Sequence, residues 1–392
     1  MTSKRSREVD TQSRPPKKPN LSTATATTTA KAPAKVILFG EHSVVYPGKR
    51  ALACALDVST TVKVKSTPEA TTFQITLPEV GIVDPLVLDL AIFKDLDWQS
   101  GQKSIAMAQD SLLIASLDAL LPQDIPKLAK RAVLSLLVLY LGISNGTPSI
   151  SISASSEIPT GSGLGSSASF CVSLAASLLL HNDKIKPLKE GVGNDADLDL
   201  VNEWALCGET VLHGLVSGVD NTVVCFGGAN IYVKGQPLKP IKGFPALRML
   251  LTNTKIEKDT KKQVAIVTSR MQTLKPVTEK LVDAVDAIVG ECCTVLKEHE
   301  EESIPLAAVS TKISTLIEMN QGILASLGVS HPSLESIVNI TRKHGLSSKL
   351  TGAGGGGCAL TLIPDDFDAA VLKNVRKELE AEGFECFESL VG

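Results

Sequence analysis

Aromatic residues are scarce in this chain: Phe, Trp and Tyr make up 4% of its 392 residues. Few side chains are therefore available for stacking on bases, which argues against a nucleic-acid binder. A surplus of either charge is also missing. The formal net charge of −3 creates no field that gathers polyanions, so any phosphate chemistry must rest on local groups. Apolar runs long enough to span a bilayer are absent, since residues 132–142 and 170–180 are too short or broken by serine. The polar opening residues carry no secretory signal. Eight cysteines are scattered, and apart from the neighbours Cys292 and Cys293 none has metal-ligand spacing. A reducing, cytoplasmic setting, with no membrane and no nucleic-acid partner, is the expectation.

What is present fits a globular protein, with 43% hydrophobic and 21% charged residues. The length calls for two domains or one large one. Residues 1–29, basic and then a Thr/Ala tract, read as a disordered, solvated tail. Order is expected from Lys31. A short apolar run at 36–39 reads as a buried strand, alternating strands follow at 61–65, 73–77 and 149–153, and then comes a buried helix from Ser167 to His181. A polar linker is read at 191–199. In the next helix Leu200, Trp204, Cys207 and Val211 share one face and put Glu209 on the opposite one. A domain boundary is placed near Gly243, dividing 30–243 from 244–392. The second part reads as strands and longer amphipathic helices, with Pro332 opening one helix and Gly345 ending it.

The stretch Glu157 to Phe170, EIPTGSGLGSSASF, joins a strand to that buried helix. Glycines at 161, 163 and 165 let backbone N–H groups approach a ligand, and a helix start adds unpaired donors, so the stretch reads as an anion-binding loop. It is not a P-loop, because no lysine follows its glycines. A dinucleotide pattern, G-x-G-x-x-G, occurs at Gly352, Gly354 and Gly357. It leads into the alternating residues 358–363, a strand, where that fingerprint requires a helix.

The loop and five other stretches together resemble the GHMP kinases, the family of galacto-, homoserine, mevalonate and phosphomevalonate kinases. Residues 31–42, KAPAKVILFGEH, are similar to the family's first motif, and residues 349–358, KLTGAGGGGC, to its third. Gly208-Glu209, residues 217–221 (SGVDN) and residues 251–255 (LTNTK) match the mevalonate branch. The resemblance implies an α+β class: the GHMP kinase fold, with an N-terminal ribosomal-protein-S5-like α/β domain and a C-terminal ferredoxin-like domain. It implies ATP- and Mg²⁺-dependent phosphorylation of the primary hydroxyl of mevalonate to 5-phosphomevalonate, in isoprenoid and sterol synthesis. Another GHMP small-molecule kinase, phosphomevalonate kinase first, or a non-catalytic GHMP-fold sensor are the alternatives. Inhibition by prenyl diphosphates and a homodimer are further expectations that come with the resemblance.

Carried over residue by residue, it makes Asp220 the base and Lys35 its cationic partner. ATP falls to Pro159, Gly161, Gly163, Leu164, Gly165, Ser166, Ser167 and Ala168. Mg²⁺ falls to Ser167 and Glu209, and the acid substrate to Glu41, His42 and Thr260. Ser217 is expected to support the base. The chain departs from the first motif at Ala34, where the family has glycine. If that glycine had a positive φ, the methyl group would displace Lys35.

Overall fold

The computed structural model describes residues 20–24, 27–67, 70–94, 96, 98, 104–146, 149–159, 161–187, 195–214, 216 and 218–392. In the first half, strands β1 (Asn20–Ala24), β2 (Thr27–Phe39), β3 (Arg50–Ser66), β4 (Thr72–Leu77) and β5 (Ile82–Asp89) precede helices α1 (Ser104–Gln109), α2 (Ser111–Ala119) and α3 (Lys127–Ser144). Strand β6 (Ile150–Ser156) leads through the glycine loop to α4 (Ser166–His181), α5 (Asp195–His213), α6 (Val219–Phe226), β7 (Ala229–Val233) and β8 (Lys239–Ile241). The second half runs β9 (Leu247–Asn253), α7 (Thr260–Thr273), α8 (Lys275–Glu300), α9 (Leu306–Ser326), α10 (Pro332–Lys343), β10 (Ser348–Leu350), β11 (Cys358–Leu362), α11 (Ala369–Ala381) and β12 (Glu385–Val391).

One sheet of twelve strands unites the described residues, along the path β10-β11-β9-β12-β3-β6-β4-β5, with β1, β2, β7 and β8 branching from it. The two halves meet where Val391 of β12 pairs with Leu56 of β3. This is the α+β class expected. Helix α4 is buried on every side from Ala168 to Leu180 apart from Phe170, as its all-round apolar sequence demands. It packs with α3 and α5 over the first-half strands in one core. A second core, including Val36, Leu38, Leu164, Met249, Val289, Ile313 and Leu360, lies between the halves. A third backs β9 and β11 with α10 and α11.

Two readings need revision. Residues 20–24 and 27–29 are not a loose tail: β1 runs antiparallel to β2, with Asn20 opposite Lys31 and Ala24 opposite Thr27. Threonine's branched side chain suits extended backbone. The end of β2 is also tied down, because the Thr28 hydroxyl donates to the Ser177 carbonyl of α4 at 3.3 Å. Residues 1–19 lie outside the described residues. The linker read at 191–199 is helical from Asp195 onward, with Asp195 and Asp197 in the first turn of α5, where the helix dipole favours negative charge. Ser217 and Thr160 fall outside the described residues.

Candidate active site

The glycine loop turns sharply. Gly161, Gly163 and Gly165 have φ of 75°, 82° and 77°, a region closed to most side chains, so the alternate glycines follow from the path of the backbone. Gly165 is the N-cap of α4 and no side chain caps that helix. Its first N–H groups therefore face the loop without a side-chain acceptor. Pro159 anchors the entry, its carbonyl accepting the Ser162 hydroxyl at 2.7 Å. Leu164 is fully buried, and its carbonyl accepts the Lys35 N–H at 2.8 Å. Ser166, Ser167 and Ala168 form the first turn of α4. That turn is fastened from behind, because the Ser169 hydroxyl donates to the Ala32 carbonyl at 2.8 Å and accepts from the Thr60 N–H.

Lys35 crosses this loop. A Cβ added to Gly165 would lie 2.8 Å from Lys35 Cγ, so the glycine also makes room for the lysine. Lys35 Nζ meets Asp220 Oδ1 at 2.9 Å, the lysine side chain 7% and the aspartate 47% exposed. Asp220 thus stands at the solvent-facing end of a shielded cation, on the first turn of α6. Ala34 leaves this arrangement intact: it is fully buried and lacks a positive φ, and the strand shifts register between Pro33 and Lys35.

Glu209 is where the helical-wheel reading misleads. The face opposite the apolar stripe of α5 is not solvent but the interior of the site, and Glu209 is 5% exposed. Close helix packing brings it there: a Cβ on Gly208 would lie 2.9 Å from Ser135 Oγ and 3.0 Å from Cys171 Sγ. Burial raises the Glu209 carboxyl to about 7, with the Asp220 charge adding to the rise and the Ser167 hydroxyl and Lys35 opposing it. Its Oε1 is buried without a hydrogen-bond partner. An orphaned hard oxygen beside a serine hydroxyl suits Mg²⁺, which takes few protein ligands and leaves positions for water and phosphate. The residues present therefore fit the ion.

The expected substrate contacts are divided. Glu41 is fully buried, one oxygen paired with Lys349 Nζ and the other accepting from Asn320 Nδ2 at 3.0 Å. Burial raises the Glu41 carboxyl and lowers the Lys349 ammonium, and their attraction for each other opposes both shifts. Glu41 thus spends its oxygens on the second half of the chain. His42 has a φ of 62°, and its Nε2 lies 2.8 Å from the Ala353 carbonyl. Burial lowers its pKa, so the ring is neutral near pH 7 and Nε2 carries the proton that this carbonyl accepts. Thr260 opens α7 and is exposed.

The second glycine run is a packed turn. A Cβ on Gly354 would meet the Val329 carbonyl oxygen at 2.1 Å, and one on Gly357 the Ser162 carbonyl oxygen at 3.0 Å. The two glycine loops therefore touch, and Thr351 Oγ1 fastens the second to β2 by donating to the Ile37 carbonyl at 2.9 Å. Three features escaped the sequence reading. Lys349 and Asn320 sit in helix and strand patterns that look structural, and Lys258 lies in a polar connection. The third is a recess of ≈ 110 Å³ beside the first turn of α4, lined by Val80, Leu128, Ile158, Ser166, Phe170 and Leu212 among others.

Comparison with known proteins agrees with this geometry. Residues 127–229 match the GHMP kinases N terminal domain and residues 309–381 the GHMP kinases C terminal domain. The chain is 39% identical to the mevalonate kinase of Mus musculus over 372 residues, 92% of each chain. Its fold is similar to that of the Methanococcus jannaschii mevalonate kinase, with a TM-score of 0.69 at 24% identity over 94% of this chain and 99% of the other. It is also similar to that of L. major mevalonate kinase in complex with R-mevalonate, with a TM-score of 0.67 at 22% identity over 97% and 98%.

Proposed function

The chain belongs to the GHMP kinases, and within them to the mevalonate kinases, and from that premise we propose that it phosphorylates the primary hydroxyl of mevalonate with ATP, giving 5-phosphomevalonate. The observation that carries the chemistry is the Lys35–Asp220 pair at 2.9 Å lying across an uncapped helix start. Phosphoryl transfer needs little covalent help and depends on positioning and charge. Asp220, paired with Lys35, orients the substrate hydroxyl and takes its proton. Lys35 offsets the charge that develops on the attacking oxygen. The loop from Gly161 to Ala168, entered at Pro159, holds the phosphates through backbone N–H groups. The apolar recess beside Ser166 takes the base.

Ser167 and Glu209 would hold Mg²⁺, which when bound neutralises phosphate charge. His42 and Thr260 border the acid substrate, and Glu41 acts there by fixing the turn that carries His42. We read two lobes divided near Gly243, a cytoplasmic enzyme, prenyl diphosphates competing for the nucleotide site, and a homodimer.

Purified protein assayed with ATP and mevalonate, phosphomevalonate, homoserine or galactose should turn over mevalonate fastest. Preference for any other acceptor would sink the assignment. In the same assay Asp220→Asn should lower kcat roughly 10²–10⁴-fold while ATP affinity stays near its original value.

A further inference from the structure

Lys258 lies in the connection between β9 and α7, two residues before α7 begins at Thr260, and its side chain runs between the two glycine loops. A Cβ on Gly163 would fall 1.6 Å from Lys258 Nζ, one on Gly352 3.1 Å from the same atom, and one on Gly357 3.1 Å from its Cδ. The ammonium group therefore rests on the backbone of the phosphate loop itself, in space that glycine alone leaves open. Among the described residues no carboxylate lies within ion-pair distance of it. The groups that act on it are Lys35 of β2, Asp220 of α6 and Cys358 of β11. A partly buried cation without an anionic partner is costly. It is retained where an anion arrives from outside.

We propose that Lys258 is a further catalytic residue, contacting the phosphoryl group as it passes from ATP to the acceptor. The inference rests on the kinase reading above. In the step, the acceptor oxygen bonds to the γ-phosphorus and the bond from γ-phosphorus to the bridging oxygen breaks, releasing ADP. The hydroxyl proton goes to Asp220. Lys258 keeps its own proton throughout and supplies positive charge beside the phosphate loop. Burial, reinforced by Lys35, lowers its pKa to about 8, as expected of a cation whose counter-charge is supplied by the ligand.

Lys258→Met and Lys258→Arg test this by calorimetric titration with Mg-ADP and with a non-hydrolysable Mg-ATP analogue, no acceptor being present. Lys258→Met should bind ADP within about twofold of the wild type, bind the analogue about tenfold or more weakly, and lose roughly 10²-fold in kcat. Lys258→Arg, which keeps the charge and tests for simple loss of fold, should recover most of the analogue's affinity. Equal weakening of ADP and analogue would reduce Lys258 to a loop support. A change confined to the acceptor's KM would place the cation on the acid substrate instead, and either result overturns the proposal. Because the titrations contain no acceptor, they stand whichever alcohol is phosphorylated. A wild type that turned over another acceptor would remove the mevalonate assignment and leave Lys258 in place.

Discussion

Lys35, Asp220 and Lys258 make up a small electrostatic system with two cations and one exposed carboxylate. Burial, reinforced by Lys35, loosens the hold of Lys258 on its proton. Its pKa of about 8 lies below the usual lysine value, so it is protonated at pH 7 and neutral above pH 9. Affinity for a triphosphate should fall as pH rises through that interval, while Lys258→Arg should hold its affinity to higher pH. Titration of the ATP analogue at pH 7, 8 and 9 measures this, and a wild-type affinity as flat as that of the arginine variant would refute it. At this scale the sequence is legible where side chain and motif coincide: Lys35 and Asp220 come from positions 185 residues apart and still meet at 2.9 Å. Glu209 is legible in identity and misread in environment, because a helical wheel cannot say whether a polar face looks onto water or into a site. Lys258 was hidden for another reason. Its significance depends on Gly163, Gly352 and Gly357 approaching from two other segments, and no local pattern encodes that approach.

The helices around the phosphate loop are each held in place. Helix α4 is immobilised by its buried circumference, α5 is drawn inward at Gly208, and α6 opens at Gly218 with a φ of 76°. The second glycine run is the least forgiving of these devices. Gly354→Ala would set a methyl carbon against the Val329 carbonyl oxygen at a φ of 77°, and should destabilise the protein by about 1–3 kcal/mol. Thermal unfolding measures this; an unchanged melting temperature would mean that the turn is not held as described. Elements with strong periodicity are readable in advance, including α4, the helix opened at Pro332 and the strand from Cys358 that excludes a dinucleotide loop. The hairpin of β1 and β2 was not readable, since a threonine-rich tract is extended only when a partner strand and the underside of α4 are there to receive it.

At the scale of the molecule, the halves are joined by a continuous sheet, by an apolar core between them, and by one buried ion pair. Removing one partner of such a pair leaves an uncompensated charge, so Lys349→Met should cost about 3–5 kcal/mol. The double variant Glu41→Gln with Lys349→Met should recover part of that loss. Chemical denaturation of both proteins compares them, and a double variant no more stable than the single one would show that the pair does not act as a unit. An N-terminal and a C-terminal part were legible in the sequence, and two family domains match the chain. That they share a sheet was not visible, because pairing between β12 and β3 depends on contacts more than three hundred residues apart.

The Glu41–Lys349 pair also times the appearance of a finished site during synthesis. Its members are separated by 308 positions, which at roughly 5–20 residues per second is an interval of about 15–60 s. Throughout that interval the carboxylate must stay hydrated or take up a proton, and the turn that carries His42 cannot close over it. A nascent chain halted before residue 349 would already hold the complete phosphate loop, Lys35 and Asp220, and would still lack Lys349 and Ala353, the partners that fix the turn carrying Glu41 and His42.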